Sequence, residues 1–457
     1  MPSFFRFCLV TIITVGMTLP ASVLARKDDR PNPRILPIVI STDVSLGLID
    51  THGGKSLTPV NISLTSPWSM DANVVPQDMD DGLALAMALN LDRNRELKLL
   101  GVYPTYGNAS LAAEMSVANY IVRDLKKRRK LPVVPGASGP VNQVLHDVPY
   151  LFDGSQVPVA GADGSFRMAC ENAAVLHMRN TIRKSRQAVT VLALGPMTDV
   201  ACLLQTSKRN VLRKINEIIA IASRLEGESV RINDLVVNDF NFRMDPVGGA
   251  LMMAGAARHN VPVRLMTFSL TGQTSQAESL IPFTADSYPG PPTSKPRDQQ
   301  SFEWLLDAAG PRNEFWSGIF GTDQGPFDQY AVVAAIEPEL FDCKPALAYI
   351  QQCPSPAWSE NYPIDDGGNP TEQPYNAEDN PCIDHGSEHG GSLSEVPAQL
   401  IATLDLNDQG PLVRGVSGVD GNLPAFDLPA QAVTACIDFA NDAAFVEFES
   451  FLKATTW

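Results

Sequence analysis

The sequence lacks several features that would point to particular protein classes. After the first 25 residues no apolar run is long enough to span a bilayer, so we expect no later membrane helix. There are only 7 cysteines in 457 residues and no Cys-x-x-Cys pair, which argues against a disulfide scaffold and a cysteine-based zinc site. Lys and Arg number 35 against 51 Asp and Glu, so the net charge is −16. An acidic chain of this kind does not bind nucleic acid through its overall charge.

What is present begins with an N-terminal targeting pattern over residues 1–25. Arg6 supplies a positive charge, an apolar run extends from Cys8 to Leu19, and Val23-Leu24-Ala25 offers small or aliphatic residues for cleavage. This order is typical of a secretory signal peptide. The sequence therefore predicts a secreted or periplasmic protein without membrane attachment after removal of the signal. An N-terminal membrane anchor is the alternative.

The cysteines that remain after loss of Cys8 are Cys170, Cys202, Cys343, Cys353, Cys382 and Cys436. An exported protein can oxidise some of them. Cys353 and Cys382 flank a loop-like stretch, and we predict that they pair, although connectivity cannot be deduced from sequence.

Five apolar runs rich in Val, Ile and Leu predict buried strands, at 35–41, 97–102, 189–194, 215–221 and 261–268. Helical patterns begin at 80 and after 199, and another covers 110–130, ending in a basic cluster at 126–130 that we interpret as a solvated helix end. This alternation predicts one α/β domain over 26–457, with an open, mainly parallel Rossmann-like sheet and helices on both faces. Stretches at about 44–77 and 351–396 are rich in Gly, Pro, Asn and acid, and we expect loop-rich insertions there.

Carboxylates stand at strand ends, where such sheets bind ligands. Asp43 closes the first strand, and Asp80 and Asp81 open the next helix. Neighbouring residues on a helix point about 100° apart, so the two aspartates can serve two sites, one a cation and the other a substrate or water. Carboxylates that meet at one edge repel unless a hard cation joins them, and Ca²⁺ with oxygen ligands fits. Helix-capping acids beside a solvated loop are the alternative.

Further polar motifs follow later strands. They are Gly107-Asn108, Gly195-Pro196-Met197-Thr198-Asp199, Asn233, Asp239-Phe240-Asn241 with Asp245-Pro246, and Phe327-Asp328. Taken with Asp43 and Asp80-Asp81-Gly-Leu-Ala-Leu, this ordered set resembles the inosine–uridine-preferring nucleoside hydrolases from about Ile35 to the C-terminus, interrupted by the two insertions.

The resemblance implies calcium-dependent hydrolysis of the N-glycosidic bond of ribonucleosides, giving base and ribose. It implies that Asp43, Asp81, Asp328 and the main-chain carbonyl of Thr198 hold Ca²⁺, with the ribose hydroxyls and the attacking water. Asp80 would be the general base for that water. The substrate-binding residues implied are Asn108, Asn233, Asp239, Asn241 and Phe327. The family is usually oligomeric, which implies a homodimer or homotetramer.

Departures from the family pattern leave alternatives open. Phe327 stands where many members carry a histidine proposed to protonate the leaving base, and a phenyl ring can only stack. Asp239 replaces the usual glutamate, and Ala222-Ser223-Arg224 replaces Met-Gly-Gly. Asp78 is an alternative to Asp43 as metal ligand. Replacement acids from the insertions are His52, His385 and His389. We interpret Asp245-Pro246 as a helix start and Thr198 as an alternative helix N-cap.

Two other functions remain open. One is a non-catalytic, calcium-dependent nucleoside- or ribose-binding protein, which Phe327 favours and the retained Asp80 disfavours. The other is a phosphatase-like use of Asp78-Met-Asp80, which leaves the later motifs unexplained.

Overall fold

A computed structural model describes residues 35–44, 48–50, 57–59, 79–108, 111–128, 130–139, 170, 172–225, 231–232, 235–236, 241–242, 245–272, 325–351, 399–404 and 431–456. The chain divides into a short unit, Met1–Ile35, and a second unit, Leu36–Trp457, which contains every described helix and strand. The predicted signal segment and most of both predicted insertions lie outside the described residues. Within the described part, no helix combines the length and apolarity that a membrane crossing needs.

The described strands, in chain order, are β1 Leu36–Thr42, β2 Leu48–Asp50, β3 Leu57–Pro59, β4 Leu97–Pro104, β5 Val189–Ala193, β6 Ile215–Ile221, β7 Arg224–Leu225, β8 Arg231–Ile232, β9 Leu235–Val236, β10 Val263–Met266, β11 Phe341–Gln351, β12 Gln399–Leu404 and β13 Gln431–Phe439. The main sheet has the order β4-β1-β5-β6-β10-β13-β11-β12-β7, and β2-β3 and β8-β9 form separate pairs. The first six strands of that order run parallel, and β11 then pairs antiparallel with β13. The prediction of a mainly parallel α/β sheet is therefore confirmed.

The described helices are α1 Asp80–Asn94, α2 Leu111–Asn119, α3 Ala173–Lys184, α4 Thr198–Thr206, α5 Arg209–Leu212, α6 Pro246–His259, α7 Phe268–Thr271, α8 Gln329–Ile336 and α9 Asp442–Thr455. A π-helix, Tyr120–Leu125, continues α2, and a 3₁₀ turn, Pro338–Leu340, follows α8.

The predicted helix over 110–130 is too long. The π-helix ends at Leu125, so the basic cluster at 126–130 follows the helix instead of ending it. Lys126 is buried, and Arg128 pairs with Asp92 of α1. Lys127 takes a left-handed backbone conformation with φ 57°, which turns the chain away from the helix axis. The cluster is therefore only partly solvated.

Both faces of the sheet are covered, as the apolar strands require. Along β1, Ile38 and Ile40 enter one core cluster with α1, α8 and α9, whereas Val39 enters the other with α3, α4 and α6. Successive side chains of a strand point to opposite faces, so a strand buried on both sides must be apolar at every position. This is the physical reason that the continuous apolar runs predicted the strands.

The strand order places a crevice at the carboxyl end of β1. The chain leaves β1 for β4 on one side and returns to β5 on the other. The connections after these strands therefore diverge next to β1, which is the position where open α/β sheets bind ligands. Asp43, Asn108 and Gly195 follow β1, β4 and β5 in sequence. The topology thus brings three of the predicted motifs together.

Two disulfides join described cysteines. Cys170 pairs with Cys202 of α4, and Cys343 of β11 pairs with Cys436 of β13. The predicted partners Cys353 and Cys382 lie outside the described residues, so that pairing stays a prediction.

Candidate active site

Three buried carboxylates converge at the carboxyl end of the sheet. Asp80 and Asp81 occupy the first turn of α1, and Asp328 directly precedes α8. One oxygen from each lies within 4.8 Å of the other two, and the side chains are almost fully buried. Met79, the residue before α1, makes no side-chain cap, and the Asp81 N–H donates to Asp80 Oδ1 at 2.9 Å. The structure therefore brings the predicted general base Asp80 together with two of the predicted metal ligands, Asp81 and Asp328, and their roles stay predictions.

Asp81 is the centre of this arrangement. The Thr42 hydroxyl at the end of β1 donates to Asp81 Oδ1, and Asn108 Nδ2 donates to Asp81 Oδ2 at 3.3 Å. The carboxyl groups of Asp43 and Asp328 also interact with it. The orientation of the Asp81 carboxylate is therefore fixed by residues at the end of β1, after β4 and before α8.

Asp43 lies beside the cluster, in a cradle of backbone. Its Oδ2 accepts the Asn108 N–H at 3.0 Å, and its main-chain carbonyl accepts Asn108 Nδ2 at 3.3 Å. A Cβ at Gly107 would lie 2.0 Å from Asp43 Oδ2, and one at Gly195 would lie 2.5 Å from Oδ1. Only glycine allows the two loops to approach the carboxylate this closely. Asp78, the alternative to Asp43, lies outside the described residues.

The electrostatics of the cluster favour a bound cation. Burial, followed by repulsion from Asp80 and Asp81, holds the pKa of Asp328 well above its ordinary value, and burial also raises the pKa of Asp81. Buried like charges at this separation retain protons unless a positive charge joins them. An all-oxygen donor set of several carboxylates suits a hard divalent cation such as Ca²⁺. The residues present therefore fit the metal that the sequence predicts.

Thr198 is held beside this crevice by a link that the sequence did not reveal. Its hydroxyl donates to Asp245 Oδ2 and is hydrogen-bonded to the Tyr106 hydroxyl at 3.2 Å. Thr198 is the first residue of α4 and Met197 precedes it as the cap residue, so the alternative of Thr198 as N-cap is wrong. Asp245 caps α6 by accepting the Gly248 N–H at 2.8 Å, which confirms the predicted helix start.

The predicted ribose-binding residues are only partly described. Asn241 Nδ2 donates to the carbonyls of Leu194 at 2.6 Å and Ile221 at 3.0 Å, so the amide joins the ends of β5 and β6. Asn108 uses its amide nitrogen on Asp43 and Asp81. Within the described part of the chain, the carboxamide oxygen of each residue is therefore the atom that can accept a hydrogen bond from a ligand hydroxyl. Asn233, Asp239, His52, His385 and His389 lie outside the described residues, so their predicted roles stay predictions.

Phe327 stacks on Phe268, a residue that the sequence gave no reason to select. The ring centroids are 5.3 Å apart and the planes differ by 12°. Phe268 begins α7, with Thr267 between it and the end of β10, and its N–H donates to the Ser223 carbonyl at 2.6 Å. Ser223 has φ 77°, a left-handed conformation that favours glycine. Glycine is the residue that the family pattern in the sequence analysis has at the position of Ser223.

Asp199, in the first turn of α4, is a further buried acid. It accepts the Ala137 N–H at 3.1 Å and Asn172 Nδ2 at 2.6 Å. Burial, opposed by these hydrogen bonds and reinforced by the nearby Asp245 charge, raises the pKa of Asp199 to about 6. A Cβ at Gly136 would lie 2.0 Å from its Oδ2, so the segment that follows the π-helix is packed tightly against it.

We expect the free energy of unfolding to fall less between pH 4 and pH 7 in Asp199→Asn than in the wild type. The folded pKa of about 6 exceeds the unfolded value of 3.8, so the folded state binds more protons between these values and loses stability as pH rises through them. That loss is about 3 kcal/mol. The asparagine does not titrate, so this pH-dependent loss is absent from the variant. One altered hydrogen bond lowers the stability of the variant by about 1 kcal/mol at every pH. Urea unfolding at pH 4 and pH 7 measures the difference.

The exposed Asp438 provides the control, because Asp438→Asn removes the same charge without burial. The raised pKa of Asp199 would be contradicted if wild type and Asp199→Asn differed in unfolding free energy by the same amount at pH 4 and pH 7.

Comparison with known proteins connects this geometry to one family. A sequence model described as "Inosine-uridine preferring nucleoside hydrolase" matches residues 71–387, more than half of the chain. The match includes Asp80, Asp81, Asn108, Thr198 and Asp328. Asp43 precedes the matched residues, and the fold places it beside the cluster.

Curated relatives share part of the chain. The pyrimidine-specific ribonucleoside hydrolase RihA of Salmonella typhimurium is 29% identical over 204 residues, which cover 42% of this chain and 58% of the relative. RihA of Shewanella sp. (strain MR-4) is 28% identical over 199 residues, with 42% and 57% covered. The chain therefore spans less than two thirds of the length of these relatives.

Solved structures show the same fold. The plant nucleoside hydrolase PpNRh1 superposes with a TM-score of 0.53 at 13% identity, covering 92% of this chain and 100% of that one. The purine-preferring ribonucleoside hydrolase from Gardnerella vaginalis gives a TM-score of 0.50 at 16% identity, covering 92% and 99%. At these identities the likeness concerns the fold alone.

Proposed function

Because the chain belongs to the inosine–uridine preferring nucleoside hydrolase family, we propose that it hydrolyses the N-glycosidic bond of ribonucleosides with the help of Ca²⁺. The products are the free base and ribose. The observation that carries this proposal is the buried group Asp80, Asp81 and Asp328, whose oxygens lie within 4.8 Å of one another at the crevice beside β1. Burying three acids together costs free energy unless a cation compensates their charge, so the group indicates a metal-dependent site.

In this proposal Asp43, Asp81, Asp328 and the main-chain carbonyl of Thr198 hold the calcium ion. Ca²⁺, when bound, supplies positive charge that favours ionisation of a nearby water and attracts the ribose hydroxyls. Gly107 and Gly195 let the backbone close around Asp43, and the hydroxyl of Thr42 and the amide of Asn108 orient Asp81. These partners leave the carboxylates little freedom to rotate, which favours tight and selective binding.

Asp80 is the proposed general base. Asp80 accepts one proton from water while the water oxygen forms a bond to C1′. The C1′–N bond breaks, and its electron pair stays with the leaving nucleobase. The leaving base then takes a proton from solvent, because Phe327 carries none to give. The buried carboxylates also stabilise the positive charge that develops on the ribose ring. Asn108, Asn233, Asp239 and Asn241 are proposed to hold the ribose hydroxyls, the amides through their carboxamide oxygens.

We further propose that the protein is exported. The signal-like segment at 1–25 supports this location, and so do the disulfides Cys170–Cys202 and Cys343–Cys436, because such bonds persist in oxidising compartments.

A homodimer or homotetramer is proposed from the family resemblance, and sedimentation of the purified protein measures the oligomeric state.

A panel of nucleosides tests the proposed reaction. We expect release of reducing sugar from one or more of inosine, adenosine, guanosine, uridine and cytidine, and a loss of at least about 100-fold for 2′-deoxyinosine relative to inosine. The reason is that a missing 2′-hydroxyl leaves buried polar groups of the site unpaired in the transition state. Equal rates for inosine and 2′-deoxyinosine would contradict the proposed ribose contacts.

A nucleoside-binding protein without turnover is the second candidate. It predicts calcium-dependent binding without ribose release from any member of the panel. Phe327 favours this candidate because it cannot protonate a leaving base, whereas Asp80 in the cluster disfavours it, because a protein that only binds has no use for a general base.

A further inference from the structure

Three fully buried polar side chains, Tyr106, Thr198 and Asp245, form one hydrogen-bonded group, which we call the polar triad. The Thr198 hydroxyl donates to Asp245 Oδ2, and its oxygen lies 3.2 Å from the Tyr106 hydroxyl oxygen. Because a hydroxyl has a single hydrogen, Tyr106 is the donor in the second bond. Thr198 is therefore held through both its oxygen and its hydrogen.

The polar triad is fixed at both ends. Asp245 directly precedes α6, where its Oδ1 accepts the Gly248 N–H at 2.8 Å and the positive end of the helix dipole favours its negative charge. At the other end, the Tyr106 N–H donates to the Ala137 carbonyl at 3.1 Å. The hydroxyl of Thr198 thus lies between two partners that have little freedom to move.

The polar triad joins two loops that both reach the proposed metal site. Tyr106 lies in the loop after β4, and the Asn108 N–H of this loop bonds to Asp43 Oδ2 at 3.0 Å. Thr198 begins α4 directly after the loop that follows β5, and the glycine of that loop, Gly195, packs against Asp43 so closely that a Cβ there would collide with it. The polar triad therefore holds the two loops at a fixed separation beside the carboxylate cluster.

We propose that Asp245, acting through the Thr198 hydroxyl, fixes the size of the calcium cage and thereby selects Ca²⁺ over Mg²⁺. This inference rests on the proposed function, in which the Thr198 carbonyl is a calcium ligand. Ca²⁺ binds oxygen at about 2.3–2.6 Å, whereas Mg²⁺ requires about 2.0–2.1 Å and a regular octahedral shell. A carbonyl held by the polar triad cannot follow the smaller ion inward. Asp245 is in this role a positioning residue, which acts on the ion only through Thr198.

Thr198→Val tests the proposal, because valine keeps the shape of the side chain and the main-chain carbonyl but has no hydroxyl. We expect Kd for Ca²⁺ to rise at least about 10-fold and Kd for Mg²⁺ to change by less than about 2-fold, since groups behind a metal ligand set affinity through its position. Thr198→Ser retains the hydroxyl and should bind both ions as the wild type does. Isothermal titration of chelator-treated protein with each metal salt alone measures both constants.

Asp245→Asn is a second variant that leaves Thr198 itself unchanged. Its carboxamide oxygen can still accept the Gly248 N–H and cap α6, but it offers no second carboxylate oxygen to the Thr198 hydroxyl. We expect the same loss of Ca²⁺ affinity as in Thr198→Val. The double variant should show no further loss, because both changes remove one shared bond.

Thr190→Val is the matched control. Thr190 is also a fully buried threonine, and its hydroxyl oxygen accepts a bond from Asn216 Nδ2 at 3.3 Å. It lies near the amino end of β5, at the opposite end of this strand from the site. Its replacement removes one buried hydroxyl and should leave Kd for both ions unchanged.

Weaker Ca²⁺ binding with unchanged Mg²⁺ binding in Thr198→Val and Asp245→Asn, and wild-type binding in Thr198→Ser, supports the proposal. If Thr198→Val does not fold, Asp245→Asn decides alone. Unchanged Ca²⁺ affinity in a folded variant, or an equal loss for both ions, overturns the inference and leaves the calcium-dependent hydrolase proposal intact. A wild-type protein that binds no Ca²⁺ overturns both. Absence of ribose release from a protein with the expected selectivity overturns the hydrolase reaction alone and supports the role of the polar triad.

Discussion

Replacing Asp80 by asparagine is expected to lower kcat by about 10³-fold, within the range that removal of a general base produces. Asparagine keeps the size of the side chain and can still accept the Asp81 N–H, which now bonds to Asp80 Oδ1 at 2.9 Å. It cannot take a proton from water. Ribose-release kinetics with saturating calcium measure kcat, and isothermal titration measures calcium and nucleoside binding, which should remain near wild type.

Asp92 supplies a matched control on the same helix. It lies in the last turn of α1, where it accepts the Leu99 N–H at 3.0 Å and pairs with Arg128, far along the helix from the cluster. Asp92→Asn should leave kcat unchanged within about 2-fold, since it changes the same functional group outside the site. If Asp80→Asn retains more than about a tenth of wild-type turnover, Asp80 is not the base.

Replacing Asp328 by asparagine should produce opposite effects on the metal-free and the calcium-loaded protein. Without a cation, burial and the neighbouring acids hold the pKa of Asp328 well above its ordinary value, so its ionisation opposes folding. The variant escapes this cost and should be the more stable protein at pH 8 in the presence of a chelator. With calcium the order should reverse. Calcium at about 1,000 times Kd stabilises the wild type by about 4 kcal/mol.

Calcium affinity should fall by more than about 100-fold in Asp328→Asn, since even changes in groups behind a metal ligand cost 10- to 100-fold. Thermal unfolding of both proteins at pH 5 and pH 8, with calcium and with chelator, measures the crossing. A variant that is less stable than wild type under all four conditions would show that Asp328 is a structural acid and not a metal ligand.

The sequence predicted the strands well because they are buried on both faces. The run 215–221 became β6 with the same bounds, and each of the others shifted by one or two residues at one or both ends. A continuous apolar run is local information that survives in a single sequence. The antiparallel β11 and the late strand β13 were not predicted, because their partners lie about 90 residues apart across the second insertion.

The candidate site was predictable to the same extent. Asp80, Asp81, Asp328 and Asn108 stand at strand or helix ends, so a parallel sheet must bring them to one edge. The link from Thr198 to Asp245 crosses 47 residues and joins two helix starts, which no local pattern records. The Asp-Pro pair that opens α6 was the available signal for a fixed acid there. Phe268 had no signal of its own, since its contact with Phe327 depends on the fold.

The carboxylate cluster is proposed to hold the calcium ion on which hydrolysis of ribonucleosides depends. The most direct measurement is ribose release from the best nucleoside of the panel by protein treated with chelator, then supplied with Ca²⁺, with metal content verified at each step. Release should stop on chelation and return to the original rate with calcium. Release that continues at the original rate in metal-free protein would contradict the account.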